Sequence, residues 1–320
     1  MKPFLCDSLF RYIQKRFFKG APANSFEETQ KKVDVIGINN VRVKNENKYS
    51  DKYPNSFFDV FYAEAPNGKT LPTFVNLHGG GFFMGSRVYG DPLVNMEKLG
   101  GNIVFELASL ANVNVVLPDY CLAPQYRYPN QIHQINEFFK FLVEHGEEYA
   151  LDTKNIILMG DSAGATLAAI YGAIISNSEY AKEMNITPAI STDRIKGIII
   201  DAAPMDISLM NRATKAMYKT WIGATQVDDT KAARQIHIPE WVTKDYPPTF
   251  LTAGNDGCFP EDMKQMYEAL KAKGCDTQLF LIDPEKAKEP HGYLNNYKND
   301  PYAKEGIEKI IAFTHKVVNA

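Results

Sequence analysis

At 320 residues, with 45% hydrophobic and 23% charged residues and a net charge of −3, the chain has the composition of one globular α/β domain with an insertion, and no polyanion partner such as nucleic acid is implied. Cys6, Cys121, Cys258 and Cys275 are scattered, form no C-x-x-C pair and share no ligand spacing with the six histidines, so no metal site is expected and reduced thiols in a cytoplasmic protein are. No apolar run approaches the roughly 18 residues of a membrane span.

The N-terminus is basic, but Asp7, Arg11, Lys15 and Arg16 interrupt its apolar residues, so it lacks the continuous apolar core of a signal peptide. Phe4, Leu5, Leu9, Phe10, Ile13, Phe17 and Phe18 fall near one face of a predicted helix, with Lys and Arg on the other. Folding over the protein's own pocket is the preferred reading of this helix, and lying on a membrane is the other. Residues 1–50 are accordingly read as an N-terminal cap segment. Short β-prone stretches at 33–38, 41–43 and 57–63, separated by Asn, Lys, Asp and Pro, predict an antiparallel start to a sheet.

From Thr73 the rhythm changes to strand, loop, helix. Buried-strand candidates at 73–77, 113–117, 155–159, 195–200, 249–253 and 277–282 alternate with helical patterns around 91–110, 130–145, 163–176 and 260–273. That alternation predicts right-handed βαβ crossovers and a mostly parallel sheet of about eight strands, with the core in 51–205 and 247–320. The interval between Ile200 and Thr249 is too long for one crossover. Residues 206–246, carrying Leu209, Met210, Met217, Tyr218, Trp221 and Trp241, are therefore read as an inserted cap, although such residues also make plain core.

Three stretches carry chemistry. His78-Gly79-Gly80-Gly81-Phe82 follows the strand 73–77, and its successive glycines free the backbone to turn amides inward toward a developing oxyanion. No Gly-Lys-Ser/Thr follows, which argues against a phosphate cradle. Gly160-Asp161-Ser162-Ala163-Gly164 joins an apolar strand to an Ala/Leu-rich helix, the G-x-S-x-G elbow that would expose Ser162 above the sheet. Gly80, Gly81 and Ala163 are the expected amide donors. A turn whose serine merely caps a helix is the bland alternative.

The histidines divide by context. His78 precedes the serine and is read as orienting its loop; His133, His145 and His315 lie on helices and His237 in the insertion. His291, in Glu289-Pro290-His291-Gly292-Tyr293 after the last strand, remains as the candidate base. Asp256, in a Gly-Asn-Asp-Gly turn after 249–253, and Asp201, after 195–200, are both candidate acids at the carboxyl edge of the sheet. Asp256 is favoured because its turn opens a helix, whereas Asp201 lies where the chain leaves for the insertion.

With H-G-G-G-F, Pro118 to Pro129 (P-D-Y-C-L-A-P-Q-Y-R-Y-P), G-D-S-A-G, A-G-N-D-G and H-G-Y in order, the chain from about Thr73 onward resembles the α/β-hydrolase fold and, more narrowly, the hormone-sensitive-lipase-like carboxylesterases. The resemblance implies a capped site, no cofactor, and hydrolysis of short-chain, acetyl-type carboxylic esters. It also implies Ser162 as nucleophile, His291 as base, Asp256 as acid, and Gly80, Gly81 and Ala163 as oxyanion donors. Ala165-Thr166 and Asp256-Gly257-Cys258 depart from the family's usual Gly-Asn and Asp-Pro-Leu, and 283–289 is unusually long and charged. The expected partner is a small-molecule ester; a homodimer stays open. An amidase or formamidase, a sugar deacetylase, and a receptor that has lost catalysis are the competing readings.

Overall fold

The computed structural model describes residues 5–17, 24–29, 31–36, 41–64, 70–87, 103–228 and 230–320. Among them run nine strands: β1 (Asp34–Ile36), β2 (Arg42–Lys48), β3 (Phe57–Tyr62), β4 (Pro72–Leu77), β5 (Asn114–Pro118), β6 (Asp152–Asp161), β7 (Ile195–Asp201), β8 (Thr249–Ala253) and β9 (Thr277–Leu281). They form one sheet in the order β1-β2-β3-β5-β4-β6-β7-β8-β9. The first three strands are antiparallel to their neighbours, and every pair from β5 to β9 is parallel.

The helices are α1 (Leu5–Phe17), α2 (Ile103–Leu110), α3 (Asn130–His145), α4 (Ala163–Ser176), α5 (Ser178–Glu183), α6 (Arg212–Ile222), α7 (Lys231–Ile236), α8 (Pro260–Ala272) and α9 (Pro301–Val318). Successive strand residues point to opposite faces, so each parallel strand feeds two cores. Val75, Leu158, Ile198 and Leu251 join a cluster with α3, α4, α8 and residues of α6; Phe74, Ile157, Ile199 and Phe250 join one with α2 and α9. Each such side chain contributes roughly 1.5–3 kcal/mol on burial. Two-sided burial explains why these strands read as continuous apolar runs.

After β4 the chain goes to β5 on one side, and after β6 to β7 on the other. The reversal leaves a crevice above the carboxyl ends of β4 and β6, where ligands bind in open α/β sheets. The H-G-G-G loop and Ser162 emerge there.

The nine strands agree with the expected sheet of about eight, but the expectation of a second strand ending near Val43 needs correcting: β2 continues to Lys48 through a register shift between Lys44 and Asn47. Its second half, Asn45, Glu46 and Asn47, is buried polar residues with no hydrophobic alternation to reveal it. Side-chain bonds compensate, among them Asp59 Oδ1 accepting from the Glu46 amide (2.8 Å) and Asn47 Nδ2 donating to Phe58 O (3.1 Å). Of the helix expected around 91–110, residues 91–102 lie outside the described residues, as do Phe4, Phe18 and positions 37 and 38.

Between β7 and β8 the chain forms α6, α7 and short 3-10 turns at Ile207–Leu209 and Ile238–Glu240. Helix α1 packs beside α6 and is fastened at three points. Asp7 meets Arg127 (2.6 Å), Gln14 Nε2 donates to Phe83 O (2.6 Å) and Ala123 O (2.8 Å), and Phe10 packs on Phe83 with ring centroids 4.2 Å apart. No helix among the described residues is long and apolar enough to cross a membrane.

Candidate active site

Ser162 sits at φ 53°, ψ −114° between β6 and α4, a conformation that an L-residue holds only where its surroundings compel it. The cause is close approach on both sides. A Cβ on Gly160 would lie 2.3 Å from the Gly164 carbonyl carbon, and one on Gly164 only 2.0 Å from the Leu77 carbonyl oxygen. Strand, elbow and helix can therefore close against β4 only with glycine at both places. Ser162 opens onto a cavity of about 700 Å³ that is also lined by Gly80, Gly81, Ala163 and His291.

The amides around that cavity fall into two groups. Gly79 N donates to Asp161 Oδ1 (3.0 Å), and Ser162 N to the carbonyl of Asp201 (2.8 Å), so both are committed. The amides of Gly80, Gly81 and Ala163 meet no acceptor among the described residues. Gly80 adopts φ 111°, open only to glycine, and its carbonyl accepts from Met84 N (3.0 Å), closing the loop into a turn. Ala163 is the first residue of α4, so its amide sits at the positive end of that helix.

His78 is spent on holding this loop. Its ring stacks on Tyr120 at 4.1 Å, its Nδ1 lies 2.7 Å from Gly79 O, and the Tyr120 hydroxyl donates to His78 O (2.6 Å). Burial pushes its pKa down. Behind it lies a network that the sequence reading missed. Arg87, only 2% exposed, meets Asp119, Glu46 and Asp59. Burial works against the guanidinium charge, but the three carboxylates outweigh it and hold the pKa above its ordinary value. Removing one partner of such a buried pair costs about 3–5 kcal/mol. Asp119 belongs to the quoted P-D-Y stretch; Glu46 and Arg87 belong to no motif, and only the fold brings them together.

Of the described histidines, only His78 and His291 line the cavity. His145 pairs with Glu148 (2.8 Å), and His315 Nε2 lies 2.9 Å from Ala111 O. His291 follows Pro290, which pairs in a parallel bridge with Asp256. Glu289 O accepts the amides of Asn255 (2.9 Å) and Asp256 (3.0 Å), while Asn255 Oδ1 accepts Glu289 N (3.0 Å) and Asn255 Nδ2 donates to Ile282 O and Ala287 O. The charged 283–289 segment is thereby tied to the Asp256 turn. The His291 ring stands edge-on to Phe259 at 5.7 Å, and partial withdrawal from water lowers its pKa.

The side chains are less closely joined than the backbones. Among the described residues, no hydrogen bond links His291 to Ser162, Asp256 or Asp201, and Asp256 is exposed. Asp201 is buried at the end of β7, lines the cavity, and its Oδ1 has no hydrogen-bond partner among the described residues. Asp256 is thus the neighbour of His291 along the backbone, and Asp201 is the carboxyl within the cavity wall.

Several known proteins similar to this chain are esterases. The chain is 29% identical over 281 residues to an esterase of Gibberella moniliformis, covering 82% of this chain and 81% of that one. It is 23% identical over 246 residues to an acetyl esterase of Salmonella paratyphi B, covering 71% and 69%. Among solved structures, esterase B of Lactobacillus rhamnosis superposes with a TM-score of 0.73 at 20% identity, covering 88% of this chain and 87% of that chain. An esterase of Pyrobaculum calidifontis superposes at 0.66 and 18% identity, covering 98% and 93%. The BD-FAE family model matches residues 58–267, which include the H-G-G-G loop, the Ser162 elbow and the Asp256 turn. The chain belongs to the BD-FAE family and is a hormone-sensitive-lipase-like carboxylic ester hydrolase of the α/β-hydrolase fold.

Proposed function

We propose that the protein hydrolyses short-chain, acetyl-type esters by two-step acyl transfer, with Ser162 as nucleophile, His291 as general base and Asp256 as the acid that orients it. The observation that carries this reading is that Ser162, His291 and the three uncommitted amides of Gly80, Gly81 and Ala163 face one cavity. His291 takes the hydroxyl proton as Ser162 attacks the ester carbonyl. The amides receive the negative charge, the alcohol leaves with the proton from His291, and water then releases the acyl group by the same route. Each lost amide donor in such a site costs about 10²–10³ in rate.

The backbone bonds between Asn255, Asp256 and Glu289 favour Asp256 as the acid. Together with the bridge from Asp256 to Pro290 they hold Asp256 beside the residue before His291, and such catalytic contacts are commonly loose in unliganded sites. The insertion 206–246 and α1 serve as the cap: Asn211, Ala213, Thr214, Met217 and Tyr218 line the cavity, and α1 buttresses the oxyanion loop through Gln14. The acetyl esterase name of a relative supports a short acyl group. The unpaired thiols support a cytoplasmic location. The test is hydrolysis of a chromogenic acetate ester by the purified protein without added metal or nucleotide. No turnover above background would favour the silent-receptor reading, and complete loss on chelation would remove the metal-independent mechanism.

A further inference from the structure

Three polar groups near Ser162, two of them buried, have no part in those steps. Asp161 and Asp201 are register neighbours at the ends of β6 and β7, and both line the cavity. Asp161 gives one oxygen to the Gly79 amide. Asp201 is 4% exposed, and its Oδ1 has no hydrogen-bond partner among the described residues. Independently, Asn76 on β4 lines the same cavity, is 5% exposed, and also has an Oδ1 without a partner among the described residues.

The charges around these groups do not balance. Arg87 is the lone Lys or Arg among the described lining residues, and three carboxylates outside this pair claim it. The pKa values of His78 and His291 are both lowered, which favours their neutral forms. Burial raises the Asp161 carboxyl to about 6 and holds Asp201 well above its ordinary value, with Asp161 adding repulsion, so ionising the pair carries a cost that no free counter-charge among the described lining residues offsets. A ligand bearing both positive charge and several N–H donors removes that cost; a hydroxyl supplies donors but no charge.

We propose that Asp161, Asp201 and Asn76 form a subsite for a protonated primary amine carried by the ester substrate within a few bonds of its scissile carbonyl. The distance follows from the chain: Asp161 immediately precedes Ser162, and the Asp201 carbonyl holds the Ser162 amide. The subsite rests on Ser162 being the nucleophile. It goes beyond that reading by assigning the substrate a charge.

The test compares two chromogenic esters of equal length, 4-nitrophenyl 3-aminopropanoate and 4-nitrophenyl butanoate, which differ by an ammonium in place of a methyl. Background hydrolysis is subtracted and the readout is the ratio of their kcat/KM values. The wild type is expected to favour the ammonium ester by about tenfold or more, and Asp201→Asn to lower that ratio by about tenfold, chiefly through KM. Asn76→Ala should lower the ratio by a smaller factor, which keeps the test decisive if Asp201→Asn does not fold. A wild-type ratio near one overturns the subsite, as does an equal loss on both esters in Asp201→Asn, which would make Asp201 a member of the triad or of the fold. No turnover of either ester by the wild type would overturn the esterase mechanism itself, and the subsite with it.

Discussion

The two halves of the candidate site are held by different physics. On the serine side, steric exclusion leaves one arrangement: Gly160 and Gly164 meet backbone at 2.3 and 2.0 Å from their missing Cβ atoms, and Ser162 has no freedom to relax from φ 53°. On the histidine side, Asp256 and His291 stand on loops after β8 and β9 whose backbones are tied through Glu289 and Asn255, while their side chains stay outside the core. Ser162, the proposed nucleophile, is therefore placed by packing, which cannot be adjusted. His291 and Asp256, the proposed base and acid, are placed by hydrogen-bonded loops, which leave side-chain torsions to complete the geometry when substrate arrives.

The largest expected effect lies on the rigid side. Ser162→Ala should lower kcat by about 10⁴ to 10⁶ with the thermal transition unchanged, because the hydroxyl supports no packing. Steady-state rates and a melting curve check this together; a variant with a tenth of the wild-type rate would move the nucleophile elsewhere.

Next comes the acid. Asp256→Asn should reduce kcat on a neutral ester by about 10⁴, the size of defect that follows when a histidine loses the carboxylate fixing its tautomer. Asp201→Asn should cost a neutral ester no more than about tenfold on the same grounds. The reverse ranking would transfer the acid to β7 and reduce the Gly-Asn-Asp-Gly turn to a helix start.

The pH profile probes the same loop more gently. As the proposed base, His291 acts only when neutral, and partial withdrawal from water lowers its pKa, so the neutral form persists to more acidic solution. Log kcat/KM should fall as pH drops through a value below the ordinary 6.5, by about tenfold per pH unit. A midpoint clearly above 6.5 in the free enzyme would mean that a carboxylate already pairs with the histidine.

The smallest effect is expected farthest from the chemistry. Deleting residues 1–20 removes Gln14, whose amide group bonds Phe83 O and Ala123 O, and Phe10, which packs on Phe83. Relative rates on acetate and bulkier esters should shift while the short ester is still hydrolysed. An unchanged profile, together with lost binding to lipid vesicles, would assign the helix to a membrane surface; Leu5, Leu9 and Tyr12 are 92%, 55% and 63% exposed on its outer side.

The parallel part of the sheet and the serine elbow were legible in the sequence because both are local. Buried strands such as Thr249–Ala253 announce themselves as short apolar runs, and G-x-S-x-G needs its glycines within five residues. Helices α3 and α4 run from Asn130 to His145 and from Ala163 to Ser176, as their periodicity predicts. The extension of β2 through Asn45, Glu46 and Asn47 was not legible, since its stability comes from Asp59, Phe58 and Arg87 across the fold.

What the sequence determined by itself was the class of fold, the strand-to-helix turn that carries Ser162 and the order in which serine, acids and histidine emerge, because each depends on residues that are neighbours in the chain. Tertiary structure alone decided which amides stay uncommitted, which of two aspartates shares a ladder with the histidine loop and which lies in the cavity wall, and that Arg87 is surrounded by three carboxylates. Those outcomes are set by contacts between strands and loops from 28 to 82 residues apart, where burial and electrostatics act and sequence spacing carries no signal.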